Sequence, residues 1–331
     1  LPVLPHLAGA RIILVSPEGP VARLPFAALP SGKRGYLVEE FAFATVPVPQ
    51  MLPRLAEPFK AEAAPGLLLV GDVDFGASAG KPAKDRGIGK MVPKDARRLF
   101  DFVALPGTRH EMAGIARSYE ARFKAKPTAL GRDAATKQAF WDGAPGKGFI
   151  HLATHGFFAP SELRSALSPL DEPSRRTTFT HPGMLSGIAL AGANREPKAG
   201  EDDGILTAAE LAGLDLSAAR LVVLSACETG LGDTAGGEGV LGLQRALHVA
   251  GARSAVTSLW KVPDAATQAL MEEFYANLWT RKLPPLESLR QAQLALLRRY
   301  DPVEGKMGAP ARKGTLSPYQ WAAFSVSGAW R

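Results

Sequence analysis

Two residues form a pair suited to covalent chemistry: Cys227, the single cysteine of the chain, and His155. Each follows a short apolar run. Leu221-Val222-Val223-Leu224 leads into Ser225-Ala226-Cys227, and Phe149-Ile150-His151-Leu152-Ala153 leads into Thr154-His155-Gly156. A thiol attacks a carbonyl as its thiolate, and a neighbouring imidazole can supply the base. The backbone N–H groups of Gly156 and Cys227 would then serve as an oxyanion hole. The blander readings are a buried structural thiol and a strand-end histidine satisfied by a carbonyl. Position alone leaves both readings open.

The elements that must position this pair are legible as patterns. Short apolar runs bounded by glycine and polar residues read as strands buried on both faces. Ligands of open parallel sheets bind beyond the carboxyl ends of such strands. His155 and Cys227 are therefore expected at the same edge of one sheet. A glycine-rich stretch follows the cysteine, with Gly230, Gly232, Gly236, Gly237 and Gly239. It reads as a mobile loop beside the site.

Earlier in the chain, strands are expected at 11–15 and 21–24, as a hairpin, and then within 36–48. Leu67–Val70 reads as a buried strand. A helix is expected over 108–124, entered through a capping box of Thr108 and Glu111. A second helix starts at Asp133. Residues 157–204 lack periodicity apart from a hairpin near 187–190. Thr207 and Glu210 cap a short helix. Helices are expected over 238–250, from Asp264 to about 280, and over 286–300. Strands are expected at 254–259 and 321–326. Strands alternating with helices argue for a mostly parallel sheet covered on both faces.

With 331 residues, 46% of them apolar, the chain can bury a large core without covalent staples. One cysteine excludes an internal disulfide framework and fits a reducing, cytoplasmic compartment. No apolar run reaches the ~18 residues of a membrane helix, so no membrane partner is expected. The chain starts at Leu1, so the natural amino terminus is expected to lie upstream. Much of the net charge of +7 comes from 81–98, which carries Lys81, Lys84, Arg86, Lys90, Lys94, Arg97 and Arg98. That stretch lacks the interleaved aromatics of single-strand binders. It reads as a solvated loop, and no nucleic-acid partner is expected.

Other chemistries fit less well. Gly76-Ala77-Ser78-Ala79-Gly80 matches G-x-S-x-G, but a lysine- and proline-bearing loop follows it where the nucleophile elbow needs a helix. His151 and His155 lack the glutamate of H-E-x-x-H and lie on a strand pattern; no metal is expected, and His151 is expected to pack under the sheet edge. Gly230-Leu231-Gly232 has neither the G-K-[ST] ending nor the G-x-G-x-x-G spacing of a phosphate loop. No cofactor is expected.

The motifs F-I-H-L-A-T-H-G-F-F (149–158) and L-V-V-L-S-A-C-E-T-G (221–230) resemble the two catalytic motifs of CHAT-domain proteases. These are caspase-like cysteine peptidases related to separase. Further matches span nearly the whole chain. They include S-P-E-G-P-V-A-R-L-P-F-A-A-L at Ser16, G-D-V-D-F-G at Gly71, L-P-G-T-R-H-E at Leu105 and D-G-I-L-T-A-A-E-L at Asp203. G-G-E-G-V-L-G-L-Q-R-A-L at Gly236, S-L-W-K-V-P-D at Ser258 and Y-Q-W-A-A-F at Tyr319 complete the set. The nucleophile motif is not the Q-A-C-x-G of true caspases, so a demand for aspartate at P1 does not carry over.

The resemblance implies a caspase-like three-layer α/β sandwich, with residues 1–65 as a β-rich accessory part and 66–331 as the catalytic part. It implies endopeptidase activity on protein substrates by a Cys227–His155 dyad, with no third residue evident. Asp264 matches the acidic P1-pocket position of separase-like relatives, and Asp72 is placed to reach the same pocket, so a basic P1 is expected. The competing role for Asp264 is a helix N-cap. A TPR repeat or other regulatory module upstream is implied as partner or activator. Residues 161–204 would form a lid, with Arg175-Arg176 as a candidate self-cleavage site. The alternative is a catalytically silent scaffold of the same fold.

Overall fold

The computed structural model describes residues 4–31, 35–57, 65–77, 101–158, 186–197, 201–225, 227–228, 238–302, 304–308 and 316–331. The basic run 81–98, Ser78, Arg175-Arg176 and the glycine-rich 229–237 stretch lie outside the described residues.

From the amino terminus, β1 (Ile12–Val15) precedes a short ladder of β2 (Pro30–Ser31) and β3 (Gly35–Tyr36), then β4 (Ala42–Thr45) and α1 (Leu52–Ala56). The alternating part follows: β5 (Leu67–Val73), α2 (Gly107–Phe123), β6 (Thr128–Arg132), α3 (Lys137–Gly143), β7 (Phe149–Leu152) and β8 (His155–Phe158). Next come β9 (Ser186–Ala189), β10 (Ile205–Thr207), α4 (Ala208–Ala212), β11 (Leu221–Leu224), β12 (Cys227–Glu228), α5 (Glu238–Val249) and β13 (Ser254–Ser258). The chain closes with α6 (Asp264–Tyr275), α7 (Pro285–Arg299), β14 (Tyr300–Asp301), β15 (Lys306–Met307), α8 (Pro318–Trp321) and β16 (Phe324–Gly328).

Eight strands form one sheet in the order β1-β4-β16-β13-β11-β7-β5-β6. Neighbours are parallel except β13 and β16, which run antiparallel. Successive side chains of a strand point to opposite faces, and here each face has its own core. Leu67, Leu69, Phe149, Leu221 and Val223 join the core under α2, α6 and α7. Leu68, Val70, Ile150, Leu152, Val222 and Leu224 join the core under α3, α4 and α5. Burying such a side chain is worth about 1.5–3 kcal/mol, so the central strands are held from both sides. The expected helix–sheet–helix sandwich is the architecture found.

Several local expectations are corrected. Residues 19–23 form a 3₁₀ turn instead of a strand. Pro20 sits in its first turn, where a missing N–H is harmless, whereas a strand ladder would lose a donor. The helix expected from Asp133 begins at Lys137, because Thr136 is the cap and accepts from the Ala139 N–H at 3.0 Å. Thr108 and Glu111 form no capping box. The Thr108 hydroxyl donates to the Leu105 carbonyl at 2.7 Å, and Glu111 turns inward to His151. The box of Thr207 and Glu210 is present. Residues 318–321 are helical, so the last strand starts at Phe324.

Candidate active site

The two motif strands leave the large sheet together. Leu152 of β7 and Leu224 of β11 are register partners in that sheet. After them the Ala153 N–H donates to the Val70 carbonyl at 2.7 Å, and the Thr154 hydroxyl donates to the Ala189 carbonyl at 2.6 Å. These bonds turn the chain into a second, four-stranded sheet of order β10-β9-β8-β12. There β8 and β12 pair again in parallel, and Cys227 is the direct register partner of His155. Both chains spend two residues on the crossing, so the register set at Leu152 and Leu224 is preserved. Adjacent strands lie about 4.8 Å apart. The two candidate dyad residues, 72 positions apart in sequence, are thus backbone neighbours.

The His155 imidazole is 1% exposed. It packs between Phe75 and Phe102, with ring centroids 5.1 and 5.5 Å away. Its Nε2 lies 2.7 Å from the Val103 carbonyl oxygen. A carbonyl only accepts, so Nε2 carries the proton and Nδ1 keeps its lone pair. Nδ1 is buried and has no hydrogen-bond partner among the described residues. Burial holds the imidazole below its ordinary value of 6.5; the Val103 bond opposes this and the Lys261 charge adds to it. The arrangement is a neutral base with a fixed tautomer and its basic nitrogen free to accept.

No residue pattern marks that third group, since a backbone carbonyl has no residue signature. What holds it in place is also new. The Asn194 side chain accepts from the Phe102 N–H and donates to the Phe102 carbonyl, both at 2.9 Å. This two-point clamp fixes the segment that delivers the Val103 carbonyl. Asn194 lay inside a stretch without periodicity, and no spacing argument could reach it.

The remaining expected residues fall around the same segment. Gly156 lies inside the small sheet, between Ile188 of β9 and Glu228 of β12. Asp72, in a left-handed conformation with φ 49°, donates its backbone N–H to the Thr108 hydroxyl oxygen at 2.8 Å. Its carboxylate is engaged: Arg109 donates to it through Nε at 2.9 Å, and Arg132 approaches to 3.7 Å. Asp264 is exposed and is the first residue of α6; the cap position is Pro263, so Asp264 is not the N-cap expected of it. It lies against Gly107, where an added Cβ would collide with its carboxyl group. The entry to α2 therefore touches Asp72 and Asp264 while the loop before it holds His155.

His151 and His155 do not share a site. His151 faces the opposite core, with Nε2 3.0 Å from Glu111 and Nδ1 3.0 Å from the Tyr275 hydroxyl. Among the described residues no group of three or more His, Cys, Asp or Glu side chains could hold a metal ion. No helix among them is long and apolar enough to cross a membrane. A buried ionic cluster anchors the small sheet instead. Lys137 of α3 binds Glu210 at 2.6 Å, Asp203 at 3.2 Å and the Ile205 carbonyl at 2.9 Å. Burial alone would lower the Lys137 pKa, but the two carboxylates outweigh it and raise it.

Comparison with known proteins agrees with this architecture. The family model described as CHAT domain matches residues 1–329. Tetratricopeptide repeat protein 28 of Mus musculus is 28% identical over 203 residues, and its Homo sapiens counterpart is 29% identical over 201. Each match covers 59% of this chain and 8% of the relative, so the chain corresponds to a small part of those proteins. The crystal structure of the Arg-specific cysteine proteinase gingipain R superposes with a TM-score of 0.56 at 10% identity. That match covers 99% of this chain and 66% of the other. The caspase-like fold expected from the motifs is the fold observed.

Proposed function

This chain belongs to the CHAT domain family, and from that premise we propose that it is a cysteine endopeptidase working through Cys227 and His155. The observation that carries the reading is the register pairing of Cys227 with His155 on adjacent parallel strands. Nδ1 of His155 takes the thiol proton. The imidazolium so formed is stabilised at Nε2 by the Val103 carbonyl. The thiolate adds to the scissile carbonyl, and the backbone N–H groups of Cys227 and Gly156 are the proposed oxyanion donors. His155 then returns the proton to the leaving amine, and water releases the acyl group from sulfur.

For specificity we infer a basic P1 residue read by Asp264. Its exposed position at the start of α6, one residue past the cap, supports this, as does the fold shared with an Arg-specific proteinase. Asp72 borders the same helix entry, but Arg109 already occupies its carboxylate, so Asp264 carries the preference and Asp72 adds little. The tetratricopeptide-repeat relatives support control by an upstream repeat module; of the segment expected as a lid, 161–185 and 198–200 lie outside the described residues and 186–189 form β9 of the small sheet.

A mechanism-based probe tests this directly. A peptidyl acyloxymethyl ketone with arginine at P1 should label Cys227, as read by peptide mapping. Labelling should fall at least tenfold in His155→Ala and when the P1 residue is leucine, and Asp264→Ala should erase the preference for arginine. Equal labelling of wild type and His155→Ala would remove the dyad, and unchanged preference in Asp264→Ala would remove the pocket.

A further inference from the structure

The loop that orients His155 carries a side chain that the dyad does not use. Residues 101–105 belong to no helix or strand, yet their path is fixed at three points. The Asn194 side chain holds both backbone groups of Phe102. The Val103 carbonyl binds Nε2 of His155 at 2.7 Å, and the Leu105 carbonyl accepts the Thr108 hydroxyl at 2.7 Å. Neighbouring side chains of this stretch part company. Phe102 is buried and packs on Phe75 and His155, whereas Val103 is 59% exposed.

A single exposed valine is ordinary, but this one belongs to the residue whose carbonyl holds the imidazole. In the acylation step the thiol proton passes to His155 and the Cys227 sulfur bonds to the scissile carbon. The C–N bond then breaks, and the imidazolium proton goes to the departing amine. For that transfer the amine nitrogen must come within about 3 Å of the imidazole. The residue that carries this nitrogen, P1′, is therefore brought to the groups around His155. Of Phe75, Phe102 and Val103, which touch the ring, the first two are buried and only Val103 has surface to offer. The Asn194 clamp makes that surface rigid, so contact with it requires no ordering of the loop.

We propose that Val103 forms the wall of the S1′ subsite and selects an apolar residue at P1′, directly after the scissile bond. The assignment rests on the peptidase reading and extends it: the substrate is a protein cut between a basic residue and an apolar one. An apolar P1′ side chain against Val103 removes both surfaces from water. A charged P1′ side chain loses hydration against the same wall and gains no partner from it.

Internally quenched peptides with arginine at P1 and leucine, valine, aspartate or lysine at P1′ test the assignment. Wild type should show kcat/KM at least about fivefold higher for leucine or valine than for aspartate or lysine. Val103→Thr keeps the shape of the side chain and should lower that preference at least about twofold. Val103→Asp should raise the lysine-to-leucine ratio at least about tenfold, by removing the apolar wall and supplying a carboxylate. Each ratio compares substrates on one enzyme, so a general loss from a disturbed loop cancels. Labelling of Cys227 by the acyloxymethyl ketone with arginine at P1, which carries no amino acid at P1′, separates this assignment from the dyad. A labelled wild type with a flat P1′ profile, or ratios unchanged in both variants, overturns the S1′ assignment alone. A wild type that is not labelled and cleaves none of the peptides overturns the peptidase reading, and the assignment with it.

Discussion

His155 is held by contacts that each leave a mark on its titration. Burial and the Lys261 charge both favour the neutral ring, and the Val103 bond opposes them; the net direction is down from 6.5. A base with a lowered pKa stays neutral to lower pH. The acid limb of the pH profile of kcat/KM, which reports essential groups of the free enzyme, is therefore expected below pH 6.5. Replacing Lys261 with methionine removes one lowering influence and should move that limb upward. A limb at or above 6.5 in wild type, or no movement in the variant, would contradict this description of His155. At this scale the two candidate residues Cys227 and His155 were legible because their residue types are rare and their flanks patterned. The Val103 carbonyl and its Asn194 clamp were not, because the first has no residue signature and the second sits far from both motifs in sequence.

Among the elements, α2 does the most positioning. Its entry loop holds His155, its first turn contacts Asp72 and Asp264, and Glu111 in its second turn is tied to β7 and α6 through His151 and Tyr275. His151 is fully buried, and burial together with the Glu111 charge pushes the Tyr275 phenol well above its usual value. Replacing His151 with leucine strands two buried polar groups. Each such group costs about 1–3 kcal/mol, so urea unfolding should show a loss of about 2–6 kcal/mol. Adding Glu111→Leu should recover part of that loss, because removing both partners of a buried bond is milder than removing one. A loss below about 1 kcal/mol would mean that the triad does not lock α2. Helix and strand periodicity made most elements legible in sequence. The misreadings were at termini: Pro20 converted an expected strand to a 3₁₀ turn, the cap at Thr136 started a helix later than the expected Asp133, and Glu111 turned to His151 instead of capping. A local rule sees the cap but not the tertiary partner that outbids it.

For the molecule as a whole, residues 1–65 do not stand apart. β4 pairs with β16, β1 extends the same sheet, and Arg290 of α7 donates to the Val38 and Glu39 carbonyls at 2.8 and 3.0 Å. Val38, Ala42, Ala44, Val46 and Leu55 belong to the core beneath α6 and α7. A chain truncated to begin at Gly66 should therefore expose β16 as an apolar edge, a pairing hazard. It is expected to aggregate or to lose its cooperative thermal transition. A monomeric, cooperatively folding truncation would show that the first 65 residues are dispensable for the fold. Sequence pattern placed most strands of the large sheet but not the order in which they pair, since parallel pairing is set by contacts far apart in the chain.

The claim on which the functional reading depends is that Cys227, set beside His155, cleaves peptide bonds. Cleavage of a P1-varied peptide library by wild type and Cys227→Ala, side by side, tests it most directly. Wild type should cleave with a preference for arginine and lysine at P1, and Cys227→Ala should lose at least about 10³-fold in kcat/KM, as loss of a nucleophile does. Cleavage that persists in Cys227→Ala, or a wild type that cleaves nothing in the library, would contradict it.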